Sequence, residues 1–305
     1  MVTGRFAPSP TGRMHAGNVF AALAAWLTAK SQDGEIVLRI EDLDEERSKP
    51  SFVDGIMRDF DYLGLGWDRG PYFQSDRKAA YREAFHALEA RGLLYPCFCT
   101  RADLHAASAP HRGERAVYPG TCRQLSAEER KARSSVRQPA MRLEVPDRRY
   151  GFTDGIQGRF EQNLADACGD FIVRRSDGAF AYQLAVVLDD ADEGVNSVVR
   201  GVDLLCSTPQ QMYLQDLFGL EHPAYAHIPL LTGEPGRRLS KRDQDADMEQ
   251  LIHRFKTPEA IIGHLAGITG LAESCDPATA DELLADFDAT RLADRLADRV
   301  EILWK

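Results

Sequence analysis

Two cationic, glycine-punctuated stretches frame the chemistry open to this chain. The first is Arg5-Phe-Ala-Pro-Ser-Pro-Thr-Gly-Arg-Met-His15-Ala-Gly-Asn18, and the second is Arg237-Arg-Leu-Ser-Lys241-Arg242. In the first, a strand-like segment meets a Pro/Gly turn and then a helix start, where free N–H groups and the helix dipole favour phosphate. His15 can donate to a phosphate oxygen, and Gly17 allows close approach of an adenine or ribose. Taken alone, His15 and Gly17 read as readily as a helix cap after a Pro-rich turn. The second stretch follows Thr232-Gly-Glu-Pro-Gly236. Its clustered cations suit the charge that builds on a triphosphate as pyrophosphate leaves, although alone it reads as a solvated basic loop. A third set, Cys97-Phe-Cys99 with Tyr118-Pro-Gly-Thr-Cys122, offers three thiolates to a metal such as Zn²⁺.

The elements that must position these residues are partly legible. Residues 2–7 read as a short strand, residues 17–30 as a helix with Val19, Leu23, Trp26 and Leu27 on one face, and residues 36–40 as a β-branched strand ending in Glu41, Asp42 and Asp44. This is a βαβ unit, the opening of a parallel sheet with helices on its faces, where ligands sit beyond the carboxyl ends of the strands. Arg5 and Glu41 both fall near such ends; the competing reading is a strand-end salt bridge. Helices are expected over about residues 52–63 and 77–91, from Thr208-Pro209 as a cap and first turn, and from Pro258. After Lys241 the chain reads as helical to its end.

The formal charge of −10 argues weakly against a polyanion partner, but the charge is unevenly spread. Residues 110–150 hold ten Lys/Arg against five Asp/Glu, whereas residues 271–305 hold four against nine, so a polyanion on one side only remains compatible. No long apolar run suggests a membrane span and no signal-type leader is visible, so a cytoplasmic location is expected. In that compartment the six cysteines point to metal or buried thiols rather than disulfides. Cys168, Cys206 and Cys275 stand apart and read as core thiols.

Taken together, RFAPSPTGRMHAGN and the later RLSKR resemble the HIGH and KMSKS motifs of class I aminoacyl-tRNA synthetases. RIEDLDEERS, LGLGWDRGPYFQSDR, the stretch from Gly169 to Leu214 and HIPLL resemble the glutamyl-tRNA synthetase group, so the likeness spans about residues 3–243. The resemblance implies an α/β fold with a Rossmann-like doubly wound parallel sheet, a zinc-containing insert and a small helical C-terminal region. The implied division is 1–96 and 181–243 for the two halves of the catalytic domain, 97–180 for the insert and 244–305 for the helical region. It further implies glutamate bound by Arg5, Ala7, Ser9, Glu41, Tyr182 and Arg200, Mg²⁺-ATP bound by His15, Gly17, Asn18 and Lys241, and catalysis by Lys241 and His15. One departure is that the HIGH-type motif ends in Asn18 rather than His, which removes one imidazole.

Only 64 residues follow Lys241, too few for the anticodon-binding region of full-length relatives. The shape resembles the shortened branch of the group, which activates L-glutamate without tRNA and transfers it to queuosine in the anticodon of tRNA(Asp). Val186, where many full-length enzymes carry Asn, agrees with that branch. So does the cysteine pattern, which implies one structural Zn²⁺ held by Cys97, Cys99, Tyr118 and Cys122, with His105 and His111 as rival fourth ligands. A monomer is expected. The competing readings are a minimal synthetase charging a tRNA 3′ end, a ligase joining glutamate to a small amine, and a zinc-stabilised RNA-binding module without catalysis.

Overall fold

The structure, a computed structural model, describes residues 1–100, 102–103, 117–234, 237–238 and 246–304, with backbone alone at 234, 237 and 238. The first part of the chain contains β1 (Thr3–Phe6), α1 (Ala16–Lys30), β2 (Glu35–Ile40), α2 (Pro50–Tyr62), β3 (Arg69–Phe73) and α3 (Lys78–Ala90). An insert follows, with β4 (Leu94–Cys97), α4 (Ala127–Ser134), β5 (Ala140–Leu143), β6 (Arg149–Asp154), β7 (Gly158–Asn163), α5 (Leu164–Ala167) and β8 (Phe171–Arg174). The chain then forms α6 (Tyr182–Asp192), β9 (Ser197–Gly201), α7 (Thr208–Phe218), β10 (Ala224–Ile228), β11 (Leu230–Glu234) and β12 (Arg237–Arg238). It closes with α8 (Met248–Phe255), α9 (Pro258–Thr269), α10 (Ala280–Ala285), α11 (Ala289–Leu296) and β13 (Glu301–Leu303).

β1, β2 and β3 are parallel, with Arg5 opposite Val37 in the register. β9 packs along the other side of β1, where Asn196 donates its backbone N–H to the Thr3 carbonyl and accepts the Thr3 N–H on Oδ1. β10 continues parallel to β9. The strand order therefore reverses between β1 and β9, which places the ligand crevice at the carboxyl ends of these two strands. α1 is Ala- and Leu-rich without a β-branched run, and it is buried on nearly every side. It is sandwiched between the sheet and helices α9 and α10. Leu23 is fully buried in this core, so Leu23→Ala is expected to cost about 2–5 kcal/mol.

The insert is built on an antiparallel sheet in the order β4-β5-β8, beginning at Leu94, and on the β6-β7 hairpin. A second apolar cluster joins α3, β5, β8, α6 and α7, and Val186 lies inside it.

Three sequence readings need correction. The chain is not helical to its end: β13 pairs in parallel with β11, because the edge of β11 offers unmet backbone groups that Glu301–Leu303 satisfy. Thr208 is not the cap of its helix but its first residue, after Ser207; the Thr208 hydroxyl accepts from Arg200 instead. Cys206 and Cys275 are exposed and Cys168 is half-buried, so none of them is a fully buried core thiol.

Candidate active site

At the reversal of strand order a cavity of about 560 Å³ opens. Arg5, Ala7, Ser9, His15, Gly17, Asn18, Glu41, Tyr182 and Arg200 all line it. Lys241 lies outside the described residues, as do His105 and His111. The described segments before and after residues 239–245 lie at the cavity or against residues that line it. Leu230 and Leu231 of β11 line it on one side of that stretch. On the other, Met248 donates to the Met14 carbonyl at 3.0 Å, Asp247 bridges to His15, and Glu249 pairs with Arg13.

His15 is both the helix cap and a cavity residue. Its Nδ1 accepts from the Gly17 N–H at 3.1 Å, and its own N–H donates to Asn18 Oδ1 at 3.1 Å, completing a capping box. Because Nδ1 accepts, the ring proton resides on Nε2. A Cβ on Gly17 would lie 3.0 Å from the His15 ring, so glycine here leaves room for the capping imidazole.

One wall of the cavity is ionic. Arg5, at the end of β1, donates through Nε to Asp190 at 3.1 Å. Asp190 also forms an ion pair with Arg39 at 2.7 Å, Arg39 Nη1 donates to Glu193 at 2.7 Å, and Glu41 and Asp189 lie 3.6 Å and 4.0 Å from the same guanidinium. Asp189 is completed by Gln74, Tyr81 and Arg77. Arg39 is almost fully buried, and the surrounding carboxylates hold its guanidinium protonated against the opposing pull of burial. Glu41 is left incompletely compensated. Its Oε1 is buried with no hydrogen-bond partner, and burial pushes its carboxyl above the usual range despite Arg39 and Arg5.

On the β9 side of the cavity, the hydrogen bonds that hold the arginine come from uncharged groups. Arg200, at the end of β9 and 5% exposed, donates Nε–H to His227 Nε2 at 3.0 Å and Nη2–H to the Thr208 hydroxyl at 2.8 Å. Its Nη1 is buried with no partner. Tyr182, the first residue of α6, stands beside this wall, and burial followed by the Glu41 charge raises its phenol above its ordinary pKa.

Asp190, His227 and Asp154 were not singled out from sequence, and Thr208 was read there only as a helix cap. The signal for Asp190 was present: an acidic pair, Asp189-Asp190, closes an otherwise apolar helical run, and both are buried.

The cysteine set also converges. The sulfurs of Cys97, Cys99 and Cys122 lie within 4.8 Å of one another, close to the separation expected around a single tetrahedral ion with Zn–S bonds of about 2.3 Å. Tyr118 Oη is 3.5 Å from Cys97 Sγ and accepts the Cys122 N–H at 2.9 Å. The Arg142 guanidinium lies 3.6 Å from the Tyr118 ring centroid. Gly169, at φ +62°, lets the Tyr118 backbone approach; a Cβ there would sit 2.3 Å from the Tyr118 carbonyl oxygen. The donor set therefore fits one soft divalent ion, with Tyr118 adjacent to it.

Comparison with known proteins agrees with this arrangement. Residues 1–297 match the family described as tRNA synthetases class I (E and Q), catalytic domain. The chain is 46% identical over 306 residues to a glutamyl-Q tRNA(Asp) synthetase of Symbiobacterium thermophilum, covering 96% of this chain and 94% of that protein. It is 46% identical over 283 residues to the protein of the same name from Nitratidesulfovibrio vulgaris, covering 89% and 87%. A solved glutamate tRNA ligase from Elizabethkingia meningosepticum, in complex with its amino acid, superposes with a TM-score of 0.80 at 27% identity, over 100% of this chain and 67% of that one. Among the described residues no helix is long and apolar enough to cross a membrane. The chain belongs to the class I tRNA synthetases of the E and Q group and, within them, to the glutamyl-Q tRNA(Asp) synthetase family.

Proposed function

We infer that this chain activates L-glutamate with ATP and passes the glutamyl group to queuosine in the anticodon of tRNA(Asp). The observation that carries the first step is a charge inventory. Two nearly buried guanidinium groups, Arg5 and Arg200, and one carboxylate with a buried unpartnered oxygen, Glu41, line a single cavity, with Arg13, already paired with Glu249, and Asp203 also in its lining. A dicarboxylic amino acid presents the inverse set of two carboxylates and one ammonium. Arg200 Nη1 and Glu41 Oε1 are both buried without hydrogen-bond partners, so a zwitterion placed between them would relieve two costly vacancies at once. In this reading Glu41 holds the ammonium, Arg5 holds the side-chain carboxylate, and Arg200 with Tyr182, Ala7 and Ser9 completes the pocket.

The α-carboxylate oxygen then attacks the α-phosphorus of ATP in line, the bond to the β-phosphate oxygen breaks, and pyrophosphate leaves with that electron pair. Catalysis is positioning and charge neutralisation rather than covalent chemistry with the enzyme. His15 donates from Nε2, the α1 N-terminus faces the phosphates, and Lys241 meets the pyrophosphate charge. Mg²⁺ accompanies ATP as part of the substrate. Cys97, Cys99 and Cys122, with Tyr118, hold a structural zinc ion, which ties the start of the insert to the segment near residue 120.

The names of the relatives support the acceptor, since the Symbiobacterium and Nitratidesulfovibrio proteins are both named glutamyl-Q tRNA(Asp) synthetase. Pyrophosphate exchange with no RNA present tests the first step: glutamate is expected to support it, and its absence would end the reading. Radiolabelled glutamate recovered on a queuosine-containing anticodon fragment supports the second step; label on a 3′ ribose would overturn it.

A further inference from the structure

Arg200 is useful only if its unpartnered Nη1 points into the cavity, and that orientation is set from behind. The guanidinium plane is fixed by two contacts, Nε–H to His227 Nε2 at 3.0 Å and Nη2–H to Thr208 Oγ1 at 2.8 Å. An arginine Nε–H can only donate, so His227 Nε2 must present a lone pair and the ring must carry its proton on Nδ1. Asp154 enforces that choice, because His227 Nδ1 lies 2.5 Å from Asp154 Oδ2. Asp154 is itself held rigid: its Oδ1 accepts from the backbone N–H groups of His227, Ile156 and Gln157 at 2.9–3.0 Å. Both His227 and Asp154 side chains are 0% exposed. Burying an imidazole and a carboxylate together costs desolvation free energy, and neither side chain lines the cavity.

We propose that His227 is a positioning residue for the amino-acid site, a tautomer-locked acceptor through which Asp154 of the insert hairpin aims Arg200 at the carboxylate of the substrate. This rests on the reading of Arg200 as a carboxylate ligand. The relay reaches from β6 through β10 to β9, so the insert contributes to glutamate recognition without touching the ligand. Thr208 serves the same plane from the first turn of α7, which explains why its hydroxyl is not spent on capping that helix.

The test has two arms. In the wild-type protein, ¹⁵N-histidine spectra should show His227, assigned by its loss in His227→Gln, with a protonated Nδ1 and a bare Nε2. The opposite tautomer overturns the relay whether or not any variant folds. In RNA-free pyrophosphate exchange, His227→Phe should raise the KM for glutamate on the order of tenfold while the KM for ATP stays unchanged. His227→Gln, whose amide can accept from Arg200 and donate to Asp154, should restore much of the loss. Adding His227→Phe to Arg200→Leu should raise the KM no further. An unmoved KM in His227→Phe, or a further rise in the double variant, sinks the relay alone. Failure of the wild-type protein to exchange with glutamate sinks the underlying reading instead.

Discussion

The two walls of the cavity hold their arginines by opposite means. On the β1–β2 side, Arg5 and Arg39 sit among Asp189, Asp190, Glu193 and Glu41, and every group is held by full charges. On the β9–β10 side, Arg200 is held by an imidazole and a hydroxyl. The contrast shows how a site can fix two similar cations and give them different electrostatic characters. Arg5 already faces a carboxylate, so its positive potential toward the cavity is partly offset at home. The hydrogen bonds that orient Arg200 come from uncharged groups, so its charge is offset less than that of Arg5, which is paired directly with Asp190. Glu41 is left incompletely compensated because it is buried and shares Arg39 with Asp189, Asp190 and Glu193.

The sharpest way to break this comparison is to empty the ionic wall of its centre. Arg39→Met would leave Asp190 and Glu193 buried without their main partner. Breaking such a network by removing one member costs about 3–5 kcal/mol, against a smaller loss expected for Arg200→Leu, whose removal strands no buried charge. Urea unfolding of the two variants measures the difference. Equal losses would show that the two walls are not energetically distinct.

A second experiment separates stability from function at Glu41. Burial holds its carboxyl above the usual range, so the charged form is strained in the folded protein. Glu41→Gln should therefore leave the thermal midpoint unchanged or raise it. The same change should raise the KM for glutamate by roughly 10- to 100-fold, the loss of one charged hydrogen bond to the ammonium. A falling midpoint with unaltered KM would assign Glu41 to structure alone.

These two experiments concern residues of very different legibility. That Arg5, Glu41 and His15 line one crevice could be read from sequence because each sits at the end of a short, well-marked element, and strand ends at a switch point are where ligands bind. Asp190 and His227 could not, because their meaning is a long-range contact. Asp190 matters through Arg5, 185 positions away, and Asp154 reaches His227 across 73. A buried polar side chain on an apolar element is a visible signal, but its partner is not written nearby. The same holds for β13: three residues after a helical run become a strand only because the edge of β11 is waiting for them. Thr208 was misread for a related reason, since a threonine before proline is a good cap until an arginine claims its hydroxyl.

Acid titration distinguishes His227 and Asp154 from Glu41 by sign. Burial lowers the His227 pKa below its ordinary 6.5, more than Asp154 raises it. Burial pushes Asp154 up, but hydrogen bonds from His227 and Gln157 outweigh it and leave the carboxyl below its ordinary 3.8. Both groups bind protons less readily when folded, so the stability they contribute is present above the ordinary pKa values and is lost on acidification. Glu41 has the opposite sign: with its pKa raised, its contribution is fully present below the ordinary 4.5 and is lost as pH rises through the folded value. Between about pH 7 and about pH 5, the urea midpoint of the wild type should therefore fall more steeply than that of His227→Gln and less steeply than that of Glu41→Gln. A His227→Gln slope equal to that of the wild type would remove His227 from the acid response.

The smallest effect on activation is expected from the cysteine cluster, and its smallness is what sharpens the comparison. Tyr95, Cys97, Phe98, Tyr118 and Cys122 form an apolar cluster that shares no residue with the one beneath the cavity. Both walls are fixed instead by β1, β2, β9, β10 and the β6–β7 hairpin, whose Asp154 is anchored through its own turn. Cys99→Ser should abolish retention of one zinc per chain, measured by metal analysis after gel filtration, and should lower the thermal midpoint. RNA-free pyrophosphate exchange should stay within about twofold of wild type, in the range of a substitution remote from the site. A loss of exchange as large as that of Glu41→Gln would mean that the metal, and not the strand ends, organises the cavity, and the contrast between its two walls would be secondary to a single zinc-dependent scaffold.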